Sequence, residues 1–107
     1  MDPQNLERQS QELQATFEEL LESRNVYYNP PASVKMKYDA IVFSRSNIDN
    51  IFANNYVYRQ LHAYQVITIT YDPDAPIIDK ISKLPRCTWN RSYVNDNLHH
   101  NVFTIYY

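Results

Sequence analysis

Leu6, Leu13, Phe17, Leu20 and Leu21 fall on one stripe, with Gln4, Glu7, Arg8, Gln11, Glu12, Glu18 and Glu22 mostly off it. That spacing predicts an amphipathic helix over about 3–24, with Pro3 in its first turn and Asp2 in the capping position. Three heptads without pure a and d positions make a poor coiled-coil seam, so the stripe is expected to pack on a sheet. Farther on, β-branched or aromatic residues fill seven of the eight positions from Tyr64 to Tyr71, the composition of a buried strand. Asp72-Pro73-Asp74-Ala75-Pro76 breaks that strand. Ile77, Ile78, Ile81 and Leu84 then mark one face of a short helix over 75–84, stopped by Pro85. Asp72 and Asp74 are expected to make the turn and cap this helix, leaving Asp79 in solvent.

Three further strands follow from the same reading. Asn29-Pro30-Pro31 forces an extended or turned chain ahead of a strand over 38–43. Residues 86–94 alternate as a strand with Cys87, Trp89, Arg91 and Tyr93 on one face. Asn95-Asp96-Asn97 turns that strand into a last one over 98–107. Residues 44–58 are polar, rich in asparagine and without clear period. They read as a long interface loop over about 45–58, with a helical turn around 48–52, and Tyr56 and Tyr58 begin the strand that continues through 64–71. Arg45, Asp49, Phe52, Tyr56 and Tyr58 are the residues expected to meet a protein partner there. The predicted fold is α+β in one domain, 1–107. A small mixed, mainly antiparallel sheet of four to five strands, over about 26–107, packs against the first helix and the short second one.

Composition narrows the function. The chain has 107 residues, 44% apolar and 21% charged, enough for one modest core. Ten basic residues against 12 acidic ones leave a formal charge of -2, which gives no electrostatic case for duplex binding. One cysteine precludes an internal disulfide and fits a reducing compartment. The opening MDPQNLERQSQEL is too polar for a secretory signal, and no apolar run approaches the roughly 20 residues of a membrane helix. Glycine is absent, so tight turns must use Asn, Asp, Ser or Pro, and phosphate-cradling loops are disfavoured. Ten tyrosines, apolar in body and polar at the tip, suit a surface that becomes an interface.

Three constellations invite chemistry, and each has a plainer explanation. Cys87 with His62, His99 and His100 lacks any zinc-ligand spacing, and adjacent His99 and His100 on a strand point to opposite faces. Asp72, Asp74 and Asp79 lack the glycine and ligand spacing of a calcium loop. Trp89, Arg91 and Tyr93 on one strand face would suit stacking of single-stranded bases, but no wider basic groove surrounds them. No catalytic residue, cofactor or metal is therefore expected, and an interaction or assembly module is the default reading.

A resemblance sharpens that default. The order Tyr38-x-x-Ile41-Val42-Phe43-Ser44, the loop Asp49–Asn55, the strand around 64–66, the helix ending Lys83-Leu84-Pro85, Asp96-Asn97-Leu98-x-His100 and Val102-Phe103-Thr104-Ile105-Tyr106 resembles small phage head–tail joining proteins. These are often labelled minor capsid or tail-terminator proteins. Tyr71-Asp72-Pro73-Asp74-Ala75-Pro76 is more proline-rich than the family pattern. The resemblance implies a tail terminator: a ring, commonly a homo-hexamer, that caps the head-proximal end of the tail tube, stops tube growth and meets the head–tail connector. It implies no catalytic residues, and the negative charge fits DNA that passes through the ring without being specifically bound. Such a protein is made in the host bacterial cytoplasm and resides in the virion at the head–tail junction. A head-side connector or stopper protein of the same junction is the neighbouring alternative, and a single-strand nucleic-acid module using Trp89, Arg91 and Tyr93 a more distant one. A ring requires two different sticky surfaces on each protomer, one of which the 45–58 segment would supply.

Overall fold

A computed structural model describes residues 3–107, the side chains of residues 3–5 and of Tyr58 excepted, so the cap expected at Asp2 lies outside the described residues. The elements run α1 (Pro3–Leu21), β1 (Val26–Tyr28), β2 (Ala40–Ala53), β3 (Tyr56–Thr70), α2 (Pro76–Ser82), β4 (Cys87–Asn95) and β5 (Leu98–Tyr106). Five strands form one sheet in the order β1-β2-β3-β5-β4. β1 joins β2 in parallel and the other pairs are antiparallel. The fold is α+β, a mainly antiparallel mixed sheet under an amino-terminal helix and a short second one.

Both helices cover the same sheet face. Leu13 and Phe17 from α1 and Ile77 and Ile81 from α2 meet Val26, Ile41, Phe43, Tyr64, Val66, Phe103 and Ile105 in one buried cluster. The rings of Phe17 and Phe43 meet edge to face, centroids 5.1 Å apart. The helix α1 stops at Leu21, short of residue 24, because Glu22 turns to a φ of 57°. The Ser23 N–H then reaches the Glu18 carbonyl at 3.2 Å, a left-handed cap of the kind glycine usually supplies.

Asparagine and aspartate replace glycine in both hairpin turns. Asn54 and Asn55 stand at φ 53° and 66°, and Asp96 and Asn97 at 52° and 63°, the two-residue turn whose twist matches paired strands. Asn97→Ala is expected to lower stability by about 1 kcal/mol, since a Cβ without a polar group has nothing to offset the left-handed strain. Urea unfolding measures this, and an unchanged midpoint would contradict it.

Four sequence expectations are corrected. First, residues 44–58 are not a loop and hold no helical turn: β2 runs through to Ala53 and pairs with β3 down to Ala53–Tyr56. Second, the strand expected from residue 38 starts at Ala40, and β1 was not foreseen at all. Third, Cys87, Trp89, Arg91 and Tyr93 do not share one face. Trp89 lies opposite Phe103 but Arg91 lies opposite Val102, so Asn90 is an extra residue that reverses the alternation. Fourth, Asp72 and Asp74 make the turn, with the Asp74 N–H on Asp72 Oδ1 at 2.9 Å, yet neither caps α2. That helix starts from Ala75, with Pro76 in its first turn, and gains no side-chain cap.

The β2–β3 hairpin outruns its neighbours. β1 pairs with β2 only at residues 41–43, and β5 reaches β3 only from Ala63 onward. Beyond that point two strands continue alone as an arm. At about 3.3 Å per residue, Ile48–Ala53 carries it about 20 Å outward. The molecule is accordingly elongated, 51 × 24 × 24 Å.

Candidate interaction site

The arm emerges from a braced base. Arg45, half-buried, sends Nη2 to the Leu6 carbonyl at 3.2 Å and to the Tyr64 hydroxyl, and its guanidinium lies 5.0 Å from the Tyr64 ring centroid. The Tyr64 hydroxyl in turn donates to Gln9 Oε1 at 3.0 Å. On the adjoining side the Tyr107 N–H donates to the His62 carbonyl at 2.8 Å, and its phenol donates to the Glu12 carboxylate. That bond to Glu12, before burial, pushes the Tyr107 phenol up to about 12. Helix, both arm strands and the last residue thus meet at one point. Arg45 belongs to this brace and is not part of the exposed tip.

His62 sits in the same base at 2% exposure, and its Nδ1 has no hydrogen-bond partner among the described residues. Burial, and then the Arg45 charge, hold its pKa below the ordinary 6.5. The folded chain keeps His62 neutral where the unfolded chain takes up a proton. Stability from this group is therefore complete above pH 6.5 and lost as pH falls through the lowered value. His62→Asn is expected to flatten the stability profile over the window in which pH falls below the ordinary 6.5 and the carboxylates have yet to titrate. Denaturant midpoints across that window measure it, and parallel profiles for the two proteins would contradict it.

The distal arm is two-sided and uncovered. Two register shifts, at Ser46 and at Tyr58, interrupt its alternation. Asn50 and Gln60 form a polar rung at 2.8 Å, and Asp49, exposed, accepts from Asn47 at 2.9 Å. Apolar side chains then crowd the end. Phe52 is 62% exposed opposite Val57, and Tyr56 is 78% exposed opposite Ala53. Ile48 and Ile51 stand exposed below them. The structure thus brings Asp49, Phe52 and Tyr56 onto one projecting element; the Tyr58 side chain lies outside the described residues. Ile48, Ile51 and Val57 join the site, beyond the five residues expected from sequence. The signal that marks them is apolar residues recurring on both sides of an Asn-Asn turn.

The constellations with chemical potential disperse. Among the described residues no three His, Cys, Asp or Glu side chains gather where a metal ion could be held. Cys87 is half-buried and burial pushes its thiol up, away from the nucleophilic thiolate. His100 stacks on Tyr93 at 4.7 Å, and His99, its neighbour on β5, points to the opposite face. Asp79 pairs with Lys83 at 2.9 Å in solvent. Trp89 and Arg91 are parted by the Asn90 bulge, so the three-residue stacking platform does not form. Comparison with protein-family models, with curated proteins and with solved structures found no match.

Proposed function

We propose that the chain is a structural protein of the phage virion, a tail terminator that assembles as a ring on the head-proximal end of the tail tube. One observation carries this reading: an arm of two strands ends in Phe52, Tyr56 and Val57, all more than half exposed. An isolated two-stranded ribbon is marginal in water, and aromatic side chains in this number at its end gain by burial against another protein. The sequence pattern over 38–106 supports the assignment to head–tail joining proteins. No helix among the described residues is long and apolar enough to cross a membrane.

In this reading the arm grips either the next subunit or the last ring of tube protein, and the remaining surface faces the head connector. DNA crosses the ring without specific contacts, in keeping with the net charge of -2 per chain. Gold-labelled antibody on intact particles tests it. Label at the head–tail junction of finished particles and on free completed tails is expected. Label at the distal tail tip overturns the reading, and label on DNA-filled heads lacking tails transfers the protein to the connector side.

A further inference from the structure

The two edges of the sheet are unlike, and they lie at the same level. Register partners run Tyr28–Phe43, Phe43–Val66, Val66–Phe103 and Phe103–Trp89, one unbroken row across all five strands on the helix-covered face. Tyr28 ends that row on β1 and Trp89 ends it on β4. Beside Tyr28 is an open hollow of about 440 Å³ whose other walls come from α1, with Glu18 and Gln14 among them. Gln14 Nε2 donates to the Val26 carbonyl at 2.8 Å, which ties α1 to this edge beside the hollow. At the other end Trp89 is 50% exposed, its Nε1–H tied to Asn101 Oδ1 at 3.0 Å, which holds the indole at the rim.

On the helix-covered side charge divides the same way, the Lys37 N–H meeting the Tyr27 hydroxyl on the opposite face. The α1 stripe along the β1 edge, residues 7, 11, 14 and 18, carries Glu7 and Glu18 and no cation. Residues 86–95 along the β4 edge carry Arg86 and Arg91 and no carboxylate. Arg86 lies beside Tyr107 on the helix side toward the arm base, the end at which Leu6, the neighbour of Glu7 in α1, meets Arg45.

We propose that the β4 edge of one copy docks on the α1–β1 edge of the next, with Trp89 seated in the hollow beside Tyr28 and Arg86 facing Glu7. The acidic and basic edges attract unlike edges and repel like ones, so a two-fold dimer through either edge is disfavoured. Each copy keeps one edge of each kind free until the chain of copies closes on itself, which makes this contact the heterologous one a ring requires. The inference rests on the ring reading and supplies its side-to-side interface, leaving the arm for a second contact.

Trp89 is the only tryptophan, so its emission reports the contact directly. In the purified full chain, diluted through its association range with mass read by light scattering, assembly is expected to shift emission to shorter wavelength and cut acrylamide quenching several-fold. Glu7→Arg and Arg86→Glu are each expected to weaken association about tenfold, and the double variant to recover most of the loss. Oligomers in which Trp89 remains as quenchable as in the monomer overturn the edge contact and leave the ring reading standing. A chain that is monomeric alone is assayed on unfinished tails as Glu7→Cys with Arg86→Cys in a Cys87→Ala background, which keeps Tyr28 and Trp89 in place. An oxidised ladder ending in one closed species supports the contact, capped tails without a ladder overturn it, and tails left uncapped by the wild-type chain overturn the ring reading as well.

Discussion

Phe17→Ala is expected to cost about 3–5 kcal/mol of stability, the range for truncating a fully buried phenylalanine. Phe17 has no exposed surface and is the ring through which α1 engages Phe43 at the centre of the sheet. Set against a total stability of about 5–15 kcal/mol for such a domain, the loss is a large fraction of the whole. It arises from a cavity between helix and sheet that the regular strands beneath cannot collapse to fill. At about 4–8 °C per kcal/mol for domains near this size, thermal unfolding followed by circular dichroism should shift down by well over 10 °C. A shift below about 5 °C would mean that α1 contributes little to the fold.

The second large effect concerns assembly and leaves the fold alone. Phe52→Asp combined with Tyr56→Asp places two charges on the arm tip, where both native side chains are mostly exposed. The monomer should lose no more than about 0.5 kcal/mol, as exposed substitutions outside the core generally do. Interface aromatics of this kind contribute about 2 kcal/mol or more each when buried by a partner, so binding through the tip should fall at least 30-fold, on the order of the loss from one such residue. Sedimentation and tail-capping assays alongside a melting curve separate the two quantities. Unchanged assembly would remove the tip from the interface, and a lowered melting temperature would show that the arm folds back on its own domain.

Most of the core was legible in the residues, and the arm was not, for one physical reason. Tyr64–Tyr71 and the Phe17 stripe declare themselves because one face of each is buried, and burial imposes a period on the sequence. The distal arm has no face against the core. Ser46 to Asn55 therefore shows asparagine and aspartate scattered among isoleucine and phenylalanine, and strand-poor residues in such company read as loop. The Asn-Asn pair at 54–55 was visible as a substitute for glycine, but the strands it joins lacked the alternation that would have identified a hairpin. At β4 the failure was of another kind. Strict alternation placed Trp89 and Arg91 together, and one extra residue at Asn90, which nothing in the local sequence announces, parted them. β1 escaped because three residues paired in parallel with a distant strand carry no pattern of their own. Among the candidate site residues, Asp49, Phe52 and Tyr56 stood out by composition, whereas the bracing role of Arg45 depends on Leu6 and Tyr64, far off in sequence.

The measurement that bears most directly on the tail-terminator account is whether the purified chain caps unfinished tails under the electron microscope. The account predicts a single density at the head-proximal end of each tail, tubes that no longer lengthen when tube protein is added, and no capping by the Phe52→Asp, Tyr56→Asp variant. Tails that continue to grow in the presence of saturating wild-type chain would contradict it.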